Sequence, residues 1–178
     1  MCIRDRIGGA GGVGSIAIQL LKAKTNLKVI ATASREETKA WVKSLGADYV
    51  IDHTEDLNTQ IKALGLDAPQ YIFSTNQTET YLPQISKLIA PQGKFGLIDD
   101  PKLLDIGEFK SKSVSVHWEF MFTRSMFNTT DIEQQSQLLH QVAELVDNHR
   151  IKTTLNQTLG KINAKNLKLA HELIETGR

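Results

Sequence analysis

The sequence predicts an α/β domain with a doubly wound parallel sheet, strand order 3-2-1-4-5-6 and helices on both faces. Three observations carry that expectation. Short apolar runs alternate with helix-spaced stretches along the chain, as they do when parallel strands are joined by crossover helices. A glycine-rich turn stands immediately before the first helical stretch, where strand passes to helix in such sheets. A length of 178 residues, with 40% hydrophobic and 23% charged side chains, suits one domain with its own core.

The first strand falls at Cys2–Ile7 (CIRDRI), leading into the glycines. A central parallel strand is buried on both faces and should be apolar, yet this one carries Arg4, Asp5 and Arg6. Buried charges are costly, so residues 1–6 are expected to be non-native. A helix over Ser15–Lys24 follows, with Ile16, Ile18, Leu20 and Leu21. The second strand is Lys28–Ala33 (KVIATA), and the next helix is Glu36–Leu45, stopped by Gly46. Tyr49–Ile51 and Tyr71–Ser74 supply the third and fourth strands. Glu79–Ala90 reads as a helix ending at the turn signal Pro91-Gln92-Gly93, and Lys94–Ile98 and Val114–Phe122 supply the last two strands. In Thr130-Asp131-Ile132-Glu133, Thr130 and Glu133 fit a capping box. Leu138, Val142, Leu145 and Val146 then recur on one helical face. A final helix is expected over Asn163–Glu175, with Leu167, Ala170, Leu173 and Ile174 facing inward.

Composition excludes several functions. A net charge of +1 gives no general attraction to nucleic acid or to an anionic membrane. Cys2 is the single cysteine, so there is neither a disulfide within the chain nor a multi-cysteine zinc site, which suits a reducing compartment. No apolar run approaches the roughly 20 residues that span a bilayer, and the N-terminus lacks a signal-peptide pattern. The expected location is the cytoplasm. The Asn-x-Thr triplets at Asn76, Asn128 and Asn156 are then chance matches.

Gly8-Gly9-Ala10-Gly11-Gly12-Val13-Gly14-Ser15 is the informative segment. Gly9, Gly11 and Gly14 match G-x-G-x-x-G, with Gly12 and Val13 between them. The first glycine permits a tight turn, the second lets backbone approach a pyrophosphate, and the third brings the helix close to the sheet. Free N–H groups at the helix start, helped by the helix dipole, would hold the phosphates. An ATPase-type phosphate loop is disfavoured, since no Lys-Ser or Lys-Thr pair follows the last glycine.

Cofactor choice is read about 20 residues further on, where NAD-binding versions place an acid at the ribose. That strand ends here in Thr32-Ala33-Ser34-Arg35. Ser34 can donate a hydrogen bond, and the Arg35 fork matches a 2′-phosphate; the plainer alternative is that Arg35 is a solvated side chain at a helix start. No carboxylate takes the ribose position, although Glu36 is adjacent. NADPH is therefore expected over NADH.

Gly8–Ser15 (GGAGGVGS), Thr32–Arg35 (TASR), Trp41–His53 (WVKSLGADYVIDH) and His117–Arg124 (HWEFMFTR) together resemble the medium-chain dehydrogenase/reductase superfamily. The likeness is strongest to its zinc-independent quinone oxidoreductase branch, in the subgroup labelled zinc-type alcohol dehydrogenase-like. It runs from about Ile7 to the C-terminus. The resemblance implies that Gly9, Gly11, Gly12, Val13 and Gly14 form the pyrophosphate turn. Ser34 and Arg35 would hold the 2′-phosphate, with His53 lining the adenosine pocket. Ser74 and Thr75, following Phe73, would lie near the ribose, and Ile98 and Asp99 near the nicotinamide. It also implies a homodimer through Val114–Phe122; by chemistry alone Trp118, Phe120 and Phe122 read either as core or interface or as cofactor contacts, with packing favoured.

Family members carry a barrel-like catalytic domain before the glycine turn and a further strand at the C-terminal end, so this chain is expected to be a cofactor-domain fragment. No catalytic residue can be named from it. The implied reaction is hydride transfer from NADPH to a small electrophilic quinone, enone or carbonyl compound. Two rivals remain: a fragment of a zinc-dependent alcohol dehydrogenase, and a non-catalytic dinucleotide-sensing module. No metal site is expected. His140 and Glu144 lie four apart without a third ligand, His117, His149 and His171 are scattered, and Asp99-Asp100 before Pro101 reads as a strand-end turn.

Overall fold

The computed structural model describes residues 9–155 and 157–175. Strands β1 (Ile30–Thr32) and β2 (Tyr49–Ile51) pair in parallel, with Thr32 opposite Ile51. Strands β3 (Tyr71–Ser74), β4 (Lys94–Leu97) and β5 (Ser115–Trp118) form a second parallel set in the order β3-β4-β5. Helices α1 (Gly12–Lys24), α2 (Glu36–Ser44), α3 (Leu57–Ala63) and α4 (Thr78–Leu88) alternate with the strands. A 3-10 turn (Ile106–Lys112) precedes β5, and α5 (Thr123–Phe127), α6 (Glu133–Asp147) and α7 (Ala164–Glu175) complete the chain. This is an α/β fold with parallel strands. The expected strand at Cys2–Ile7 lies outside the described residues.

Alternation along β1 explains why helices cover both its faces. Ile30 enters one core with Ile51, Leu57, Ile61, Ile72, Leu82 and Ile85, under α3 and α4. Val29, Ala31 and Ala33 enter the other, with Ile18 of α1 and Val42 of α2. Successive residues of a strand face opposite ways, so KVIATA is apolar on both faces and its strand is buried throughout. Each fully buried Ile or Phe adds about 1.5–3 kcal/mol of stabilisation.

Local chemistry sets the element boundaries. α2 gives way at Gly46, whose φ of +103 is one a side chain would disfavour. α4 ends where Lys112 donates to the carbonyls of Ser86, Lys87 and Ile89 at 2.7–2.9 Å, and burial pushes that ammonium's pKa down. α3 was not expected from the sequence. It is one and a half to two turns long and buries only Leu57 and Ile61, while Asp56 caps it by accepting from the Thr59 amide.

Three expectations are corrected. The strand expected over Val114–Phe122 spans only Ser115–Trp118. After Glu119 donates to Leu97, the chain turns, with Thr123 N–H bonding to Phe120 and Met126 N–H to Phe122. The capping box does not form: α6 begins at Glu133 with Ile132, not Thr130, at its N-cap, so Glu133 stands at the first helical position rather than the third and no side-chain cap is made. α7 buries none of its residues; Leu167 is 48% and Ile174 74% exposed. Ala170 and Leu173 of the same face are half-buried. On α6, likewise, Leu138 and Val146 are exposed. Among the described residues, no helix is long and apolar enough to cross a membrane.

Candidate functional site

The predicted site residues gather at the carboxyl ends of the strands and the start of α1. Gly9 is buried against the end of β1, and a Cβ there would lie 2.3 Å from the Thr32 carbonyl oxygen. Only glycine lets the turn lie this close. Gly11 is the N-cap of α1 and offers no side-chain acceptor, and the first turn holds no acidic residue. The first-turn amides of Gly12, Val13 and Gly14 are thus left to an external acceptor. Gly12 is exposed, with no atom within 4 Å of a Cβ built on it, whereas Gly14 is buried.

The β1–β2 register assembles the second group. Thr32 pairs with Ile51, and Ala33 N–H donates to Ile51 at 3.0 Å. Two residues past each of these paired positions come Ser34 and His53, so both fall at one corner. Arg35 caps α2 with its backbone, its carbonyl accepting from Lys39 N and Thr38 Oγ1. No hydrogen bond or ion pair involves its exposed guanidinium among the described residues. The neighbouring acids are engaged: Lys39 Nζ lies 3.0 Å from Glu36 and 3.7 Å from Asp52. Thr54 donates to Asp52 through its hydroxyl and its amide, and these bonds hold the Asp52 pKa below the usual carboxylate range. The hydrogen bond that Lys39 donates to Glu36 raises the pKa of Lys39.

Two buried polar atoms at this corner, Thr32 Oγ1 and His53 Nδ1, have no hydrogen-bond partner among the described residues. Such groups ordinarily find one, since an unsatisfied buried donor or acceptor costs about 1–3 kcal/mol. They fit a site that receives a polar ligand. Sequence reasoning included His53 but missed Thr32, whose available signal was a lone hydroxyl in an otherwise apolar strand.

The third group is differently employed. Ser74 is buried and its hydroxyl meets Thr78 Oγ1 at 2.7 Å. Thr78 in turn donates its amide to Asp99 Oδ2 at 2.9 Å and its hydroxyl to Asp99 Oδ1. The Asp99 carboxylate, at the end of β4, therefore caps α4 from the adjacent strand. Ile98 donates its amide to Ser74, and Thr75 is half-buried beside them. Ser74, Thr75, Ile98 and Asp99 are thus together, with the polar side chains of Ser74 and Asp99 committed to joining β3, β4 and α4. Asp99-Asp100 adds no metal site, and among the described residues no group of three His, Cys, Asp or Glu could hold a metal. His140 Nδ1 lies 3.0 Å from the Ser136 carbonyl of its own helix. An apolar groove of about 860 Å³ lies between α1, α6 and β3–β5, with Val13 of the glycine turn and Phe73 in its lining.

A family model described as zinc-binding dehydrogenase matches residues 12–141, the span from the glycine turn into α6. The chain belongs to the zinc-binding dehydrogenase family. It is thereby a member of the medium-chain dehydrogenase/reductase superfamily, as the sequence motifs implied. A zinc-type alcohol dehydrogenase-like protein of Staphylococcus epidermidis is 36% identical over 171 residues, covering 96% of this chain and 51% of the relative. A crystal structure from Rhizobium etli, assigned as a zinc-dependent alcohol dehydrogenase, is 56% identical with a TM-score of 0.92. That match covers 99% of this chain and 51% of the other. The fold also matches Escherichia coli quinone oxidoreductase complexed with NADPH, at 21% identity and a TM-score of 0.79, over 98% of this chain and 53% of that one. The chain spans about half the length of the zinc-binding dehydrogenase relatives it matches. Despite the family's name, the described half contains no zinc-binding set.

Proposed function

We propose that this chain is the NADPH-holding domain of a medium-chain oxidoreductase that reduces a small quinone, enone or carbonyl compound by hydride transfer. The observation that carries the reading is the corner where Gly9 presses on Thr32 beside two unpartnered buried polar atoms and the unpaired Arg35. In this reading the α1 start, from Gly11 to Gly14, holds the pyrophosphate. Ser34 and Arg35 bind the 2′-phosphate, and His53 and Thr32 complete the adenosine pocket. Lys39 keeps Glu36 and Asp52 occupied, which leaves Arg35 the group available to an added phosphate. That balance supports NADPH over NADH. The bound nicotinamide would supply the hydride; the chain's own residues bind and orient the dinucleotide. Ser74, Thr75, Ile98 and Asp99 would shape the wall toward its reactive end.

The same reading joins the two strand sets into one sheet of order 3-2-1-4-5-6, in a cytoplasmic protein. β5 pairs with β4 on one side, and Trp118, Phe120 and Phe122 are 51–56% exposed beside it. These support a homodimer through the Val114–Phe122 segment. Calorimetric titration with NADPH and NADH tests the cofactor reading. NADPH should bind more tightly, and Arg35→Ala should erase the preference, a loss of about tenfold or more for a charge-assisted contact. Equal binding of both cofactors by wild-type protein would refute the NADPH assignment.

A further inference from the structure

Between the glycine turn and α2 runs a hydrogen-bonded chain that ligand binding alone does not account for. Ser15, in the first turn of α1, is 1% exposed. Its hydroxyl donates to the carbonyl of Ala10, inside the glycine turn, at 3.2 Å. The Trp41 indole N–H, from α2, donates to that same hydroxyl oxygen at 2.8 Å. A hydroxyl has one proton to give and can rotate it. With the indole N–H on one lone pair, the proton is directed to Ala10. Without it, the proton could turn back to the Gly11 carbonyl one helical turn behind, a common choice for a helical serine.

The indole is itself held. Lys152 Nζ stands 5.2 Å from the ring centroid and also reaches Ser44 Oγ on α2 at 3.3 Å. The backbone of Lys152 is clamped to α1, with its amide donating to Gln19 Oε1 and its carbonyl accepting from Gln19 Nε2. Gln19 Nε2 also donates to the Ser15 carbonyl. Ala10 and Trp41 pack against the same core cluster. Two parts of the proposed cofactor site are thereby linked: the turn at α1, and the helix whose N-cap is Arg35.

We propose that Trp41 is a positioning residue: through Ser15 it fixes the Ala10 carbonyl and so the glycine turn, coupling the turn's conformation to α2. The role of that coupling in cofactor affinity rests on the dinucleotide reading above; the coupling itself does not. Trp41→Phe keeps most of the ring and removes the donor, while Ser15→Ala removes the relay and keeps a residue of similar size.

The test combines amide hydrogen exchange on the cofactor-free chain with titrations of NADPH, ADP and adenosine 2′-phosphate. Either substitution should speed exchange at the Ser15 and Ile16 amides about fivefold, with little change at Ile30 and Ala31 of β1. Each should weaken NADPH and ADP, which carry a pyrophosphate, about fivefold. Adenosine 2′-phosphate lacks one and should bind unchanged. The double variant should be no worse than either single one, as expected for members of one relay. Unchanged exchange at Ser15, or equal weakening of all three ligands, would overturn the proposal by reducing Trp41 to general packing. Failure of the wild-type chain to bind NADPH would instead remove the cofactor reading, and faster exchange at Ser15 in both variants would still uphold the coupling.

Discussion

Gly9→Ala puts the contact between the glycine turn and β1 to the test. The added Cβ would sit 2.3 Å from the Thr32 carbonyl oxygen and 3.3 Å from the Thr32 carbonyl carbon and nitrogen. All three are backbone atoms of a buried strand, so no rotamer change can relieve the clash. The turn and β1 must separate by about 1 Å to restore ordinary contact, an overpacking strain of about 1–3 kcal/mol. For a domain of this length, 1 kcal/mol moves Tm by about 2–4 °C, so a drop of roughly 2–12 °C is expected by thermal circular dichroism. Hydrogen bonds are lost over such a displacement, and NADPH affinity measured by calorimetry should fall tenfold or more. Gly12→Ala is the control. Its Cβ meets nothing within 4 Å, and alanine favours helix, so its Tm should be no lower than wild type. A Gly9→Ala protein with unchanged Tm and affinity would refute the close approach, as would a Gly12→Ala protein equally destabilised.

Two further outcomes follow from electrostatics and exposed surface. Burial pushes the Asp48 pKa up, but the Val29 amide at 2.7 Å and the Lys22 ammonium outweigh it, leaving a net depression. A depressed carboxylate stabilises above its unfolded pKa and loses that contribution as pH falls through the folded value. The Tm gap between wild type and Asp48→Asn should therefore be widest near neutrality and close below about pH 4; a gap independent of pH would refute the assignment. At the β5 end, the proposed homodimer predicts a dimer for the wild-type chain and a monomer for Phe120→Asp with Phe122→Asp in analytical ultracentrifugation; a monomeric wild-type chain, or a dimer unchanged by the substitutions, would refute that interface.

Much of the fold was legible because strands buried on two faces leave continuous apolar runs. Tyr71–Ser74 and Tyr49–Ile51 match their strands end to end. The failures share a physical cause, which is that the deciding contact lies far along the chain or outside it. α3 has two apolar anchors, too few to show a period, and only its contacts with α4 and β2 make it secure. Phe120 and Phe122 extend the β pattern of Val114–Phe122, yet local bonds to Thr123 and Met126 turn them out of the strand. The α7 face is periodic, yet Leu167 and Ile174 on it stay exposed. In the candidate site, the glycines and Arg35 are placed by spacing alone. Thr32 looked like part of a strand, and the bond from Trp41 to Ser15 spans 26 residues, so neither role had a local signature.

Asp99 shows how position and employment can diverge. The family resemblance places it beside the nicotinamide, while in the structure both its oxygens accept from Thr78. A carboxylate that caps a helix from the neighbouring strand fixes the ends of β3 and β4, and its two oxygens are held by Thr78. The two roles separate experimentally. Asp99→Ala removes the cap and leaves the fully buried Thr78 hydroxyl with Ser74 alone, a loss of about 2–4 kcal/mol from cap and charged hydrogen bond together. Asp99→Asn retains an acceptor for the Thr78 amide and can donate to the Thr78 hydroxyl, which then turns toward Ser74. Its Tm should lie much closer to wild type, with the ratio of NADPH to NADH affinity unchanged. If Asp99→Asn keeps its Tm but loses tenfold or more in affinity for both cofactors, Asp99 touches the dinucleotide directly and the cap is secondary. If affinity falls only in Asp99→Ala, in step with its stability, Asp99 serves the site by holding the two strand ends together.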